Sequence, residues 1–202
     1  IATGKKISEL REMHMLPKSG DGNPNGISVK EAVLPWNRFR RIDGKGVDAV
    51  LGPEMKSTGE VMGIARTFGE AFAKSQSAAF GALPKSGKVF VSLSDRDKSS
   101  ALEPVRELLR LGFQVITTAG THQFFSTNGL KSEIVRKHSE GKGPNGEPTS
   151  VDLINSGEVN LVINTPLGRG SRQDGWLIRT AAIQRSVPII TTIAGFKAAV
   201  SG

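Results

Sequence analysis

The chain has 202 residues, 37% hydrophobic and 23% charged, a length beyond the roughly 100 to 150 residues of a typical domain that predicts two units, or one unit with an appendage. The absence of cysteine excludes disulfides, thiolate catalysis and cysteine-ligated metal. Neither an apolar stretch near 18 residues nor a charged-then-apolar leader occurs, so no membrane span or signal peptide is expected and the location reads as cytoplasmic. The net charge of +8 divides as +3 over residues 1–83 (12 basic, 9 acidic) and +5 over residues 84–202 (15 basic, 10 acidic), without a basic block. Aromatic residues make up only 5%, none of them tyrosine, a poor supply of stacking platforms for nucleic acid; the charge reads instead as a surface that attracts small anions.

In chain order, residues 5–16 read as the end of an amphipathic helix stopped by Pro17 and the loop-like stretch Ser19–Gly26. The sequence thus begins inside an element, and with Ile1 rather than Met, so it reads as a fragment of something longer. Ile27–Phe39 alternates partly as a strand, Gly44–Gly46 is a turn, and Ser57–Ser77 is predicted as a helix with Val61, Ile64, Ala65, Phe68, Ala71 and Phe72 on one face. Ala78–Lys85 is the predicted linker. From Gly87 short apolar runs alternate with helical segments, the pattern of an α/β unit with a parallel sheet. Strands are predicted at 89–93, 113–117, 133–136, 161–164 and 188–191. The first is followed by a helix with Ser100 and Glu103 at capping-box spacing, Pro104 in its first turn and Gly112 at its end. Further helices are predicted at 121–128, 149–156, 172–186 and 193–200.

Ligands in such sheets gather at the carboxyl ends of the strands, and several polar groups fall there. Thr117-Thr-Ala-Gly-Thr121 ends a strand and opens a helix, a turn that suits a phosphate through its glycine, hydroxyls and N–H groups; by itself it is also explained as a helix cap. Lys98 and Lys137 lie just past the first and third strands, where both ammonium groups can neutralise a phosphate dianion, although either alone also fits a solvated surface lysine. Asn164-Thr-Pro-Leu-Gly-Arg169 brings an amide, a hydroxyl and a guanidinium to the next strand end, suited to a ribose or base or, more simply, to a turn. His14, His122 and His138 lack metal-ligand spacing; His122, one residue past the phosphate turn, is placed to touch a ligand. No Walker-type loop or metal cluster is present.

Two long blocks, Leu51-Gly-Pro-Glu-Met-Lys-Ser-Thr-Gly-Glu-Val-Met-Gly63 and Ser28-Val-Lys-Glu-Ala-Val-Leu-Pro-Trp-Asn-Arg-Phe39, resemble the large subunit of carbamoyl phosphate synthetase. The resemblance covers essentially the whole chain. It implies that residues 1–83 are the closing segment of the second ATP-grasp unit with a linker, and residues 84–202 a five-stranded parallel-sheet, methylglyoxal-synthase-like allosteric domain flanked by helices. It further implies a nucleoside monophosphate effector, of which UMP as inhibitor and IMP as activator are the enterobacterial cases. Lys98, Thr118, Gly120, Thr121 and Lys137 match the family's phosphate-binding residues, and Asn164, Thr165 and Arg169 its ribose- or base-binding end. Pro166, Leu167 and Gly175 depart from the compared pattern there, which leaves effector identity open. Glu31 matches a glutamate of the ornithine site, but Ile190 stands where that site has an aspartate, and Glu31 is also explained as a partner for a neighbouring cation.

The resemblance implies an intact ligase that uses Mg (or Mn) and ATP to make carbamoyl phosphate from bicarbonate and glutamine-derived ammonia, for pyrimidine and arginine biosynthesis. Implied partners are the remainder of the large subunit, a small glutamine amidotransferase subunit and further copies in an oligomer, with no nucleic acid or membrane. The fragment itself is expected to hold no cofactor, metal or catalytic residue and to be inactive alone. Effector binding would act on the synthetase through residues 28–83, with Glu31 and Glu54–Glu60 as the coupling segment. Two alternatives are an oligomerisation domain with a vestigial pocket and a free-standing methylglyoxal-synthase-like lyase. The lyase needs a carboxylate base beside the phosphate, but Glu140–Thr149, the matching stretch, has no aspartate before Asp152, which reads as a helix opener; Glu140 and Glu147 are the substitutes.

Overall fold

The computed structural model describes residues 2–20, 26–34, 57, 59–165 and 170–202. Helix α1 (Ile7–Glu12) is shorter than the pattern predicted. His14 turns into the left-handed region at φ +57 and closes it, with the Met15 N–H donating to the Leu10 carbonyl at 2.9 Å. Strands β1 (Ile27–Val33) and β2 (Gly59–Ala65) pair antiparallel, Glu31 opposite Val61. Residues 35–39, the 44–46 turn and Glu54 lie outside the described residues.

The helix predicted over Ser57–Ser77 is corrected in its first half, which is β2. Val61, Ile64 and Ala65 fit a helical stripe, but glycines at 59 and 63 disfavour helix and β-branched Val61 and Ile64 favour extended backbone. Along the strand, Val61, Gly63 and Ala65 turn inward while Met62 and Ile64 are exposed. Thr67 then starts α2 (Phe68–Phe80), its Oγ1 accepting the Glu70 N–H at 3.3 Å. Gly63 lets α2 lie against the hairpin: a β-carbon there would run into the Ala71 carbonyl oxygen and approach the Ser75 nitrogen to 2.7 Å.

The second sheet is parallel throughout, in the order β5 (Glu133–Ile134), β4 (Gln114–Thr117), β3 (Lys88–Leu93), β6 (Leu161–Thr165), β7 (Ile189–Ile190). All five residues of β6 are buried, as expected of a parallel strand covered on both faces. Alternation sorts the apolar residues into two cores. Val89, Val91 and Ile163 pack with Val105 and Leu108 of α3 (Asp95–Arg110), Phe125 of α4 (Ala119–Thr127) and Phe196 of α7 (Ile193–Ser201). Phe90, Ile116 and Val162 pack with Ile154 of α5 (Ser150–Ser156) and Ile178 and Ala182 of α6 (Gly170–Gln184). Helix α2 docks on α7, where Gly69 admits the Ser201 backbone: an added β-carbon would lie 2.7 Å from its carbonyl carbon. No helix among the described residues is long and apolar enough to cross a membrane.

Helix α3 carries a second correction. It starts at Asp95, more than a turn before the predicted Ser100–Glu103 cap, and Pro104 sits inside it. Proline removes one backbone bond, to residue 100, but Ser100 is on the exposed side, while the ring is buried beside Ala101, Val105 and Leu108. Glu103 pairs instead with Arg106. Gly112, at φ +87, closes the helix as predicted, with Phe113 N–H bonded to the Leu108 carbonyl at 3.0 Å. Helix α6 ends the same way on an exposed serine, Ser186 at φ +55, with Val187 N–H bonded to the Ala182 carbonyl at 2.8 Å. Ser186→Gly is therefore expected to raise stability by about 0.5–1 kcal/mol, since a β-carbon is disfavoured in that conformation; an unchanged or lower denaturation midpoint would refute this.

Candidate functional site

The chain leaves β3 through α3 to β4 on one side and later returns to β6 on the other. Strands β3 and β6 are thus neighbours whose following strands lie on opposite sides, the arrangement in which a crevice opens at the carboxyl ends of the strands. A cleft of about 610 Å³ lies there, within the size range of small-molecule sites. Six of the predicted residues line it together: Lys98, Thr118, Gly120, Thr121, Lys137 and Asn164.

Each is placed by its element. The early start of α3 puts Lys98 on the first helical turn, where its Nζ lies 2.6 Å from Asp95 Oδ1 and donates to the Gly120 carbonyl at 3.2 Å. That ammonium, hydrogen-bonded and close in charge, holds the Asp95 carboxyl below the usual carboxylate range. Thr118 opens α4, its carbonyl accepting the N–H groups of Thr121 and His122 at 3.0 and 2.9 Å, and its side chain makes no capping bond. The first-turn N–H groups of a helix have no intrahelical acceptor, so this end of α4 suits an anion. Lys137 is exposed, and its backbone N–H donates to Glu140 Oε2 at 3.0 Å, fixing the 3-10 turn His138–Glu140. Asn164 is 1% exposed and its Oδ1 has no hydrogen-bond partner, a buried polar atom aimed at the cleft and suited to an incoming donor.

The other predicted residues stand apart. Thr165 is buried, follows Asn164 on the strand and does not line the cleft; its carbonyl accepts the Ser94 N–H at 3.0 Å. Arg169, Pro166 and Leu167 lie outside the described residues. Glu31 is on β1, where Gln76 Nε2 of α2 donates to its Oε2 at 2.8 Å. His122 is not in the lining; its ring nitrogens face Ser132 Oγ at 2.9 Å and Ser126 Oγ at 3.3 Å. Sequence reasoning missed Asp95 and Arg96, though both lie at the strand end that flagged Lys98, and Asp174 and Ser139, which carried no motif. Ser139 Oγ donates to Asp174 Oδ2 at 2.8 Å across the cleft rim.

The carboxylates considered for lyase chemistry are engaged elsewhere. Asp152 Oδ2 accepts the Thr149 N–H and hydroxyl, both at 2.9 Å, capping α5, and those bonds lower its pKa. Glu147 accepts from Asn145 N and Nδ2 at 3.0 Å; its own backbone N–H and the Asn145 side chain lower its pKa. Glu140 caps the turn under Lys137. None of the three lines the cleft, and the depressed pair are weakened as bases. Among the described residues, no three His, Asp or Glu side chains gather as a metal donor set.

Residues 100–191 match the family described as MGS-like domain. The whole chain is 54% identical to the carbamoyl phosphate synthase large chain of Streptomyces griseus over 206 residues, covering 19% of that protein. The proteins of the same name from Clavibacter sepedonicus, over 204 residues, and Mycobacterium tuberculosis, over 209, give the same identity and coverage. The chain thus spans about a fifth of the length of these relatives. With its five-stranded parallel sheet and its full-length match, the chain corresponds to the C-terminal part of carbamoyl phosphate synthase large chains and carries an MGS-like domain over residues 100–191.

Proposed function

We propose that the cleft binds a nucleoside monophosphate of the UMP or IMP type and that this binding regulates a carbamoyl phosphate synthase. The observation that carries the reading is the convergence of Lys98, the start of α4 and Lys137 with the unpartnered, buried Asn164 Oδ1. The two ammonium groups neutralise the phosphate dianion, Thr118 and Thr121 donate hydroxyls, and Gly120 keeps backbone close to the anion. Asn164 Oδ1 accepts a ribose or base donor, with Asp174 in the same lining; from the sequence pattern alone, Arg169 is assigned to the same end of the ligand.

In the intact ligase the remainder of the large chain makes carbamoyl phosphate with Mg (or Mn) and ATP, from bicarbonate and ammonia released by a small amidotransferase subunit, in the cytoplasm, for pyrimidine and arginine synthesis. This chain has no catalytic role of its own in that scheme. An effector acts only by binding two conformations unequally, and the route to the synthetase runs through α7, α2 and the β1–β2 hairpin. The Glu31–Gln76 hydrogen bond ties β1 to α2 on that route, and Glu31 is the candidate contact for ornithine.

Calorimetric titration with UMP and with IMP, each repeated against inorganic phosphate as competitor, tests the reading. Saturable one-to-one binding that phosphate displaces is the expected result. Absence of both heat and thermal shift with either nucleotide would overturn it.

A further inference from the structure

The ammonium that reads as the phosphate anchor already has an anion beside it. Asp95 Oδ1 sits 2.6 Å from Lys98 Nζ, and the two partners differ sharply in setting: the Lys98 side chain is 14% exposed and that of Asp95 95%. Lys98 also has a second anchor in the Gly120 carbonyl, which holds the ammonium at the start of α4 independently of Asp95. Nor does the start of α3 depend on Asp95. Ser94 Oγ donates to Asp97 Oδ2 at 2.7 Å and the Asp97 N–H donates to the Ser94 carbonyl at 3.0 Å, so Ser94 and Asp97 secure that end. A carboxylate that faces the cleft, is nearly all in solvent and is needed by neither element is left with one distinctive contact, the ammonium of Lys98.

We propose that Asp95 is an internal competitor for the phosphate at Lys98 and sets the affinity of the cleft. This rests on reading the cleft as a phosphate site. An arriving phosphate either displaces the carboxylate from the ammonium or settles beside it against like-charge repulsion, and both weaken binding. Exposed ion pairs are weak, so the carboxylate yields to a dianion and acts as a graded opponent, raising the ligand concentration at which the cleft fills. The depressed titration of Asp95 fits this, since it stays charged wherever the phosphate is charged.

Asp95→Asn keeps the shape and removes the charge; Asp95→Ser removes it by a second route. Each is expected to bind UMP and inorganic phosphate about two- to fivefold more tightly in calorimetry, a gain that shrinks at high salt. Measured as a double-mutant cycle with Lys98→Ala, the gain disappears when Lys98 is absent. Equal or weaker binding by both Asp95 variants, with the parent protein binding normally, overturns the competition and leaves the phosphate reading standing. The same holds if the gain persists without Lys98, because the effect is then general electrostatics. Failure of parent and variants alike to bind UMP or phosphate overturns both.

Discussion

Replacing Lys98 and Lys137 together by alanine is expected to weaken UMP binding by at least about 100-fold while the protein stays folded. Hydrogen bonds to charged groups are worth about 1.5–3 kcal/mol each, and two of them set against about 1.4 kcal/mol per tenfold give that floor. Folding is spared because neither side chain supports the core. Lys137 fixes the 3-10 turn through its backbone N–H, which alanine retains, and Lys98 contacts an exposed carboxylate and a helix-start carbonyl. Lys142→Ala, a single charge removed outside the cleft lining, separates site-specific loss from loss of net charge and is expected to change affinity less than twofold by the weakness of exposed charges. Calorimetry with a thermal melt on each variant decides the matter. A double variant that melts normally and still binds UMP within tenfold of the parent would remove the two lysines from the site.

The largest expected effect on stability is that of Gly63→Ala. Its backbone is ordinary extended strand, so alanine meets no conformational penalty there. The obstacle is α2, whose Ala71 carbonyl and Ser75 nitrogen stand where the methyl would go. Backbone atoms cannot swing aside as a flexible side chain can, so the helix must lift from the hairpin, at a cost of about 3 kcal/mol or more. A fall in melting temperature of about 6–12 °C follows for a chain of this size. Gly59, in the same strand, has nothing within 4 Å of an added β-carbon, so Gly59→Ala is expected to be close to neutral. Equal melting temperatures for the two variants would refute the account.

That contrast also explains what the sequence revealed and what it hid. The parallel sheet was legible because each apolar run between 88 and 190 is bounded by a turn or cap: Gly87 before β3, Gly112 before β4, Thr149 at the start of α5. The hairpin strand β2 was read as helix because its spacing of apolar residues fits both periods and was given more weight than the local signal of Gly59, Gly63, Val61 and Ile64; the close approach of α2 to Gly63 adds a tertiary contact that the sequence does not announce. Pro104 misplaced the start of α3 for the same kind of reason, since its lost backbone bond falls at an exposed residue. At the site, the strand-end rule located the residues nearest the sheet. It treated Asn164 and Thr165 as a pair, whereas neighbours on a strand face opposite ways and only Asn164 lines the cleft. Asp174 was invisible because it reaches the rim from within α6, where spacing carries no information about what lies across the crevice.

The complete burial of β6 has a consequence for how such a protein changes over time. No position from Leu161 to Thr165 can take a larger or smaller side chain without disturbing what packs on one face or the other. Asn164 is therefore a fixed point, and new ligand preferences have to be written into the connections that leave the strand ends. Change over a lineage is thereby channelled into those connections, while the sheet beneath them remains as it was.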